Sequence, residues 1–154
     1  MVRVETSTQI NRPVEEVFAY IDDPAKMPEW IDILAQSVPS ESPTKVGTRI
    51  ANRVNLLGRS FRNTLEVVEH VPNKKVVSKA DKPFPITLTY LLTPADGGAT
   101  GFTTILEAEP TAFFKLREPF LTHVGRRRFA GHLRRLKRRL EAPSRKAYHP
   151  RPND

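Results

Sequence analysis

Four histidines, His70, His123, His132 and His149, are the side chains best placed to move a proton near neutral pH or to hold a metal. His123 and His132 are nine residues apart. At roughly 100° per residue they fall on opposite sides of a helix, whereas a helical metal pair needs i, i+4 spacing. The chain has no cysteine. Disulfides, thiol catalysis and thiolate metal ligands are therefore excluded. No metal site and no cofactor are expected. Glu15-Glu16, Glu66/Glu69 and Glu107/Glu109 are carboxylate pairs in sequence. Such pairs do acid–base chemistry in a closed pocket. Glu107 and Glu109 alternate against Phe102, Thr104 and Leu106, which places them toward solvent, and solvated positions are the reading for all three pairs. The run Gly97-Gly98-Ala99-Thr100-Gly101 has the wrong spacing for a dinucleotide fingerprint and reads as a turn. Neither G-x-S-x-G nor a P-loop occurs. No catalytic set emerges from the residue types.

The elements that must position any site follow from periodicity. Val2, Val4 and Ile10 alternate with polar residues, as in a half-buried strand. Asn11-Arg12-Pro13-Val14-Glu15-Glu16 reads as a helix start, with Asn11 as the cap and the glutamates at the positive end of the dipole. Val14, Val17, Phe18 and Ile21 follow at helical spacing. A second short helix is expected through Lys26–Ile33, with Trp30 on its inner side, and a short strand within Gln36–Lys45. From Val46 the period becomes two. Val46, Thr48, Ile50, Asn52, Val54 and Leu56 share one face, opposite Arg49, Arg53 and Asn55. Phe61, Asn63, Leu65 and Val67 line the next strand, with Arg62, Glu66 and His70 outward. Strands follow at Lys75–Asp81, Ile86–Thr93 and Thr100–Glu109, the last two joined by the hairpin signal Pro94-Ala95-Asp96-Gly97-Gly98. One long helix is expected from residue 111 to about 142, kinked at Pro119. Phe129, Leu133, Leu136 and Leu140 form its core stripe, extended backward by Leu121 and Gly125. Phe113, Leu116, Phe120 and Val124 fall on a second face. Ala142–Asp154 reads as a frayed, basic, proline-containing tail. The domain is expected to span residues 1–142.

Charge is unevenly placed. Residues 1–114 carry 12 Lys/Arg and 14 Asp/Glu, a net of −2; residues 115–154 carry 13 and 3, a net of +10, together the formal +8. No apolar run approaches the ~20 residues of a membrane span, and a cytoplasmic protein is expected. The row Arg127, Arg134, Arg138 reads as a solvated helix face. It also suits an anionic membrane surface or an acidic partner. Arginines without interleaved aromatics give no base readout, so sequence-specific nucleic-acid binding is not expected.

The order of strand, two short helices, antiparallel strands and a long terminal helix resembles the helix-grip fold of the START-like (birch-pollen-allergen-like, SRPBCC) superfamily. More narrowly it resembles the polyketide cyclase/dehydrase and lipid-transport family. The carrying residues are Ile10–Phe18, Pro28-Glu29-Trp30, Thr93–Thr100 and Leu133–Lys137. The resemblance implies an α+β domain in which a curved antiparallel sheet of six to seven strands wraps the long helix. It also implies an elongated apolar cavity between the two. No catalytic residue carries over, because these differ between members.

On that frame the inward strand positions become candidate ligand contacts. The candidates are Trp30, Ile50, Asn52, Leu65, Tyr90, Phe102, Thr104, Phe120 and Val124, with Trp30 and Phe84 either near the mouth or simply core, and a cavity of at least ~300 Å³. Asn63 and Ser78 are further inward polar points. Three readings stand. The first is binding or carriage of a hydrophobic small molecule such as a lipid or polyketide. The second is a cyclase or dehydratase that holds a poly-β-keto chain folded while Tyr, Asn or Arg polarises a carbonyl. The third is an interaction module built on the Arg-rich helix. The second apolar helix face is turned over the cavity by the kink, covered by a second copy in a homodimer, or laid on a membrane.

Overall fold

The computed structural model describes residues 1–143. The expected tail lies, from residue 144 onward, outside the described residues. Strand β1 (Val2–Ile10) alternates as expected and buries Val2, Val4 and Ile10. Helix α1 (Val14–Ile21) buries Val17, Phe18 and Ile21 and carries Glu15 and Glu16 in its first turn. Asn11 does not cap it. Two residues separate Asn11 from the helix, Pro13 occupies the cap position, and no side-chain cap bond forms. The Asn11 amide instead donates to Glu141 Oε1 at 3.3 Å. A 3-10 turn (Pro24–Lys26) follows, capped by Asp23 Oδ1, which accepts from the Ala25 amide at 3.1 Å. Helix α2 (Met27–Trp30) is shorter than its expected span because Ile31 adopts extended backbone.

Six strands then run in succession: β2 (Leu34–Pro39), β3 (Arg49–Leu56), β4 (Arg59–Val71), β5 (Lys75–Ala80), β6 (Ile86–Ala95) and β7 (Ala99–Ala108). They form one seven-stranded antiparallel sheet with β1, in the order β1-β7-β6-β5-β4-β3-β2. Consecutive strands are neighbours throughout β2–β7, as short turns dictate. β1 joins at the far edge, with Val2 opposite Ala108. Ile50, Asn52 and Val54 are buried on β3 while Arg49, Arg53 and Asn55 are exposed, as alternation predicts. Val46, expected on the inward face, is exposed because β3 begins only at Arg49.

One parity expectation fails. Strict alternation puts His70 outward with Arg62 and Glu66. A bulge between Val67 and Glu69 shifts the register, and an extra residue turns every later side chain to the other face. His70 therefore points inward, donates through Nε2 to Asp22 Oδ2 at 2.9 Å, and meets the Phe18 ring edge-on.

The single kinked helix is also not formed. Helix α3 (Thr111–Phe114) ends at Lys115, whose backbone is left-handed at φ 55°. Helix α4 (Glu118–Glu141) then starts with Pro119 in its first turn. Proline is at home there because the missing N–H has no intrahelical partner in any case. Pro119 begins a helix here and bends none. α4 lies across the concave face of the curled sheet and buries Leu121, His132, Leu133 and Leu136. The larger core cluster joins Leu133 and Leu136 to Ile10, Phe18, Trp30, Leu65, Tyr90 and Phe102. A smaller one joins Leu121 to Val2 and Val4. Arg127, Arg134 and Arg138 are exposed on the outer side of α4, as their spacing predicts.

Candidate ligand cavity

Between the two core clusters the concave face and α4 do not meet, and the gap is a cavity of about 150 Å³. The sheet supplies Val54 from β3, Leu65 from β4, Leu88 from β6 and Leu106 from β7. The helix supplies Leu121, Val124 and Phe129 from above. Gly125 lets α4 approach β1 closely at this point. Apart from Asn52, Asn63 and Arg128, the wall is apolar, and it contains no His, Asp, Glu or Tyr among the described residues.

Of the side chains expected at the site, Asn52, Leu65 and Val124 line this cavity. Trp30, Tyr90 and Phe102 do not. They pack on each other with ring centroids 5.5–6.1 Å apart and are almost wholly buried. This cluster fills the end of the concave space that alternation alone had left open. The same packing accounts for a volume about half that expected from sequence. Ile50 and Thr104 are buried but do not line the cavity, Thr104 sharing a hydroxyl bond with Thr6 at 2.8 Å. Of the two placements open to Trp30, the structure has it in the core. Phe120 is half exposed on the outer face of α4, and Leu116 is exposed as well. The second apolar helix face is therefore not one surface: Val124 turns in, Phe120 and Leu116 turn out.

The other end of the cavity is lined by an aromatic group that combines Phe84, expected near the mouth, and the inward Phe61 with two residues spacing does not assign to it, Phe113 and Phe114. Phe61 on β4, Phe84 on the β5–β6 connection, and Phe113 and Phe114 on α3 stack within 4.9–6.2 Å of one another. Phe61, Phe84 and Phe114 touch the cavity. Arg59 lies over the Phe113 ring, 4.0 Å from its centroid, and donates to the Phe113 carbonyl. The adjacent Phe113-Phe114 pair was the available signal: consecutive aromatics just after Pro110 suit a short capping element better than one face of a long helix.

Polar groups inside the domain are unevenly satisfied. Asn52 and Asn63 are directly opposite across β3 and β4. Asn52 Oδ1 accepts from Ser37 Oγ at 2.6 Å, whereas Asn63 Oδ1 is buried without a partner. The Tyr90 hydroxyl and Trp30 Nε1 are likewise buried and unpartnered. Burial holds the Tyr90 phenol well above its usual range, so it stays protonated. His132, buried on α4, donates through Nε2 to Asp32 Oδ1 at 2.7 Å, and its Nδ1 has no partner. Burial holds the ring below its usual pKa against the pull of Asp32. For Asp32, burial pushes upward, but the bond from His132 and the charge of Arg128 outweigh it and hold the carboxyl low. The pair is a neutral imidazole on a carboxylate, tying α4 to the segment after α2. Among the described residues no three His, Asp or Glu side chains gather as a metal site would require, and no helix is long and apolar enough to cross a membrane.

A curled antiparallel sheet gripping a terminal helix over an apolar cavity defines the helix-grip class. The chain belongs to the family described as polyketide cyclase / dehydrase and lipid transport, whose profile matches residues 1–141. Among solved structures it is similar to a START superfamily protein from Mycobacterium smegmatis, with a TM-score of 0.75 and 13% identity over 90% of this chain and 97% of that one. It is similar to one half of the di-domain ARO/CYC StfQ from the steffimycin biosynthetic pathway, with a TM-score of 0.67 and 20% identity over 91% of this chain and 51% of that one. It is also similar to Aha1 from Colwellia psychrerythraea, solved as a dimer, with a TM-score of 0.64 and 18% identity over 92% of this chain and 97% of that one. At these identities the likeness is one of fold. No curated protein matches the sequence.

Proposed function

We propose that the protein binds and carries a small hydrophobic molecule in the cavity under α4. The observation that carries this is the wall itself: apolar side chains from the sheet and α4 enclose about 150 Å³, with two amides and one guanidinium as the directional groups. Small-molecule sites have this mixture of apolar area and few polar points. An apolar void of that size stays dry and admits a benzene-sized group. A larger ligand enters with one ring or short chain inside and the remainder at the aromatic end. A cyclase remains compatible with this wall, since Asn52, Asn63 and Arg128 are groups that polarise a carbonyl. A His or carboxylate beside the substrate would favour it, and with neither in the wall carriage is the favoured reading.

The test is direct. Toluene added to isotopically labelled protein is expected to shift the methyl resonances of Leu65, Val54 and Val124 in a saturable way. Val124→Phe, which places a ring in the space, is expected to abolish the saturable shifts while the protein stays folded. Absence of saturation in the wild type would remove the reading.

A further inference from the structure

The sheet has a gap in its backbone pairing, crossed on the cavity side by Phe61 and Phe84, whose ring centroids are 5.7 Å apart. β4 runs from Arg59 to Val71, but β5 pairs with it only over Glu66–Val71. Past Ala80 the chain leaves through Asp81–Pro85 to start β6, and no backbone hydrogen bond ties that segment to residues 59–65 among the described residues. The separation opens a groove of about 520 Å³ on the outside of the sheet. Its lining is the reverse of the cavity's. Arg49, Arg62, Lys79 and Lys82 bring four cations against the carboxylates of Glu66 and Asp81. None of the four cations is within ion-pair distance of a carboxylate among the described residues. Arg62 also stands directly opposite Arg53 across β3 and β4. Like charges so placed are destabilising in an isolated sheet, and an external anion would relieve them.

Asn63 lines both the apolar cavity and the cationic groove. Its amide can donate through Nδ2, and its Oδ1 is the buried acceptor left without a donor.

We propose that this gap is a second, polar opening of the cavity and that the ligand is an amphipathic anion. Its apolar body lies under α4, and its carboxylate or phosphate head passes Asn63 to rest among Arg62, Lys82 and Arg49. The proposal rests on the cavity-binding reading and narrows it: a neutral hydrocarbon meets the inner wall alone, whereas a chain or ring with one anionic end uses both linings.

Octanol and octanoate separate the two. They share a chain and differ in the head. At pH 7.5 and low salt, octanoate is expected to bind the full chain about fivefold more tightly than octanol, the scale of a partly exposed charge contact. Both should shift the methyls of Leu65 and Val124, and octanoate alone should also shift the amides of Thr64 and Lys82. R62Q/K82Q changes two exposed side chains and is expected to bring octanoate to the affinity of octanol, with octanol unchanged. Inorganic phosphate, a head without a chain, is expected to bind more weakly than octanoate and to weaken octanoate but not octanol.

Equal affinities for the two probes in the wild type, or octanoate binding that R62Q/K82Q leaves unaltered, would overturn the gap as a head-group site and leave the cavity reading standing. Octanoate shifts confined to the groove, or phosphate binding as tight as octanoate, would also overturn it, since the groove would then be an anion site unconnected to the cavity. If neither probe binds the wild type, both readings fall.

Discussion

Gly125 of α4 lies so close to Val4 of β1 that a Cβ built on it would stand 2.9 Å from Val4 Cγ2. The long helix can settle on the sheet edge because this position carries no side chain. Glycine in a helix interior ordinarily costs about 1 kcal/mol relative to alanine, so its use here marks a steric requirement.

Gly125→Ala is expected to destabilise the protein by about 1–3 kcal/mol despite the better helix propensity, the usual scale of overpacking. Val4 is β-branched and fully buried, so it has little freedom to move aside. Val4→Ala should recover much of the loss in the double variant. Urea midpoints for the four members of the cycle give the coupling, and additive effects would show that the two residues do not meet.

Leu133 and Leu136 anchor the other half of α4 in the main core. Truncating either to alanine is expected to cost about 2–5 kcal/mol. A loss below about 0.5 kcal/mol, the scale of surface changes, would mean that the opposite face of the helix is buried.

Tyr90→Phe is expected to stabilise the protein, by on the order of 1 kcal/mol, because it removes a buried hydroxyl that has no partner. The ring contacts with Trp30 and Phe102 are kept. A drop in the thermal midpoint would reveal that something, a water or the ligand, serves that hydroxyl.

The His132–Asp32 pair makes stability depend on pH in a defined direction. The His132 pKa in the folded protein lies below the ordinary 6.5, so the unfolded chain takes up the proton first. Stability is full above about pH 6.5 and declines as pH falls from there through the folded-state value. Asp32, held below its ordinary 3.8, adds a second loss at still lower pH. His132→Gln keeps a donor for Asp32 without a titrating ring. Relative to wild type it should flatten the stability profile just below pH 6.5 and leave the more acidic loss in place. Parallel profiles for the two proteins would show that His132 does not titrate differently on folding.

Arg59 holds α3 over the aromatic end of the cavity through the Phe113 ring and carbonyl. An exposed cation–π contact is worth about 0.5–1 kcal/mol. Arg59→Ala should therefore raise the exchange rate of bound toluene roughly two- to fivefold, with little change in the urea midpoint. Unchanged exchange would place the ligand's route elsewhere.

Much of this architecture is written in two periods. Val2, Val4 and Ile10, then Ile50, Asn52 and Val54, announce which faces of the strands turn inward, and Phe129, Leu133 and Leu136 announce the helix stripe. What periodicity cannot carry is a change of parity or a choice between equally apolar neighbours. The extra residue at Val67–Val68 has no composition signal, yet it turns His70 from solvent to Asp22. Trp30, Tyr90 and Phe102 are inward by the same rule as Leu65. Whether an inward ring lines a void or fills it depends on three elements meeting at one point, and only the assembled fold shows that they fill it. Pro119 is a similar case: kink and first turn satisfy the same missing N–H, and the left-handed Lys115 four residues earlier decides between them.

The edge position of β1 has a consequence for how the chain assembles in time. Strands β2 to β7 each pair with their sequence neighbours, so their turns close at small entropic cost. β1 pairs with β7, Val2 meeting Ala108, and no other strand substitutes. On the ribosome, at about 5–20 residues per second, the first strand waits roughly 5–20 s for its partner. The cover for Val4 comes later still, when Gly125 and its helix emerge. Throughout that interval β1 is an unpaired, half-apolar strand, the kind that recruits other chains. Arg3, Glu5, Ser7 and Gln9 interrupt it at every second position. They are exposed in the finished domain, where β1 is still an edge strand, and the same polar positions would oppose pairing of the waiting strand with neighbouring chains during synthesis.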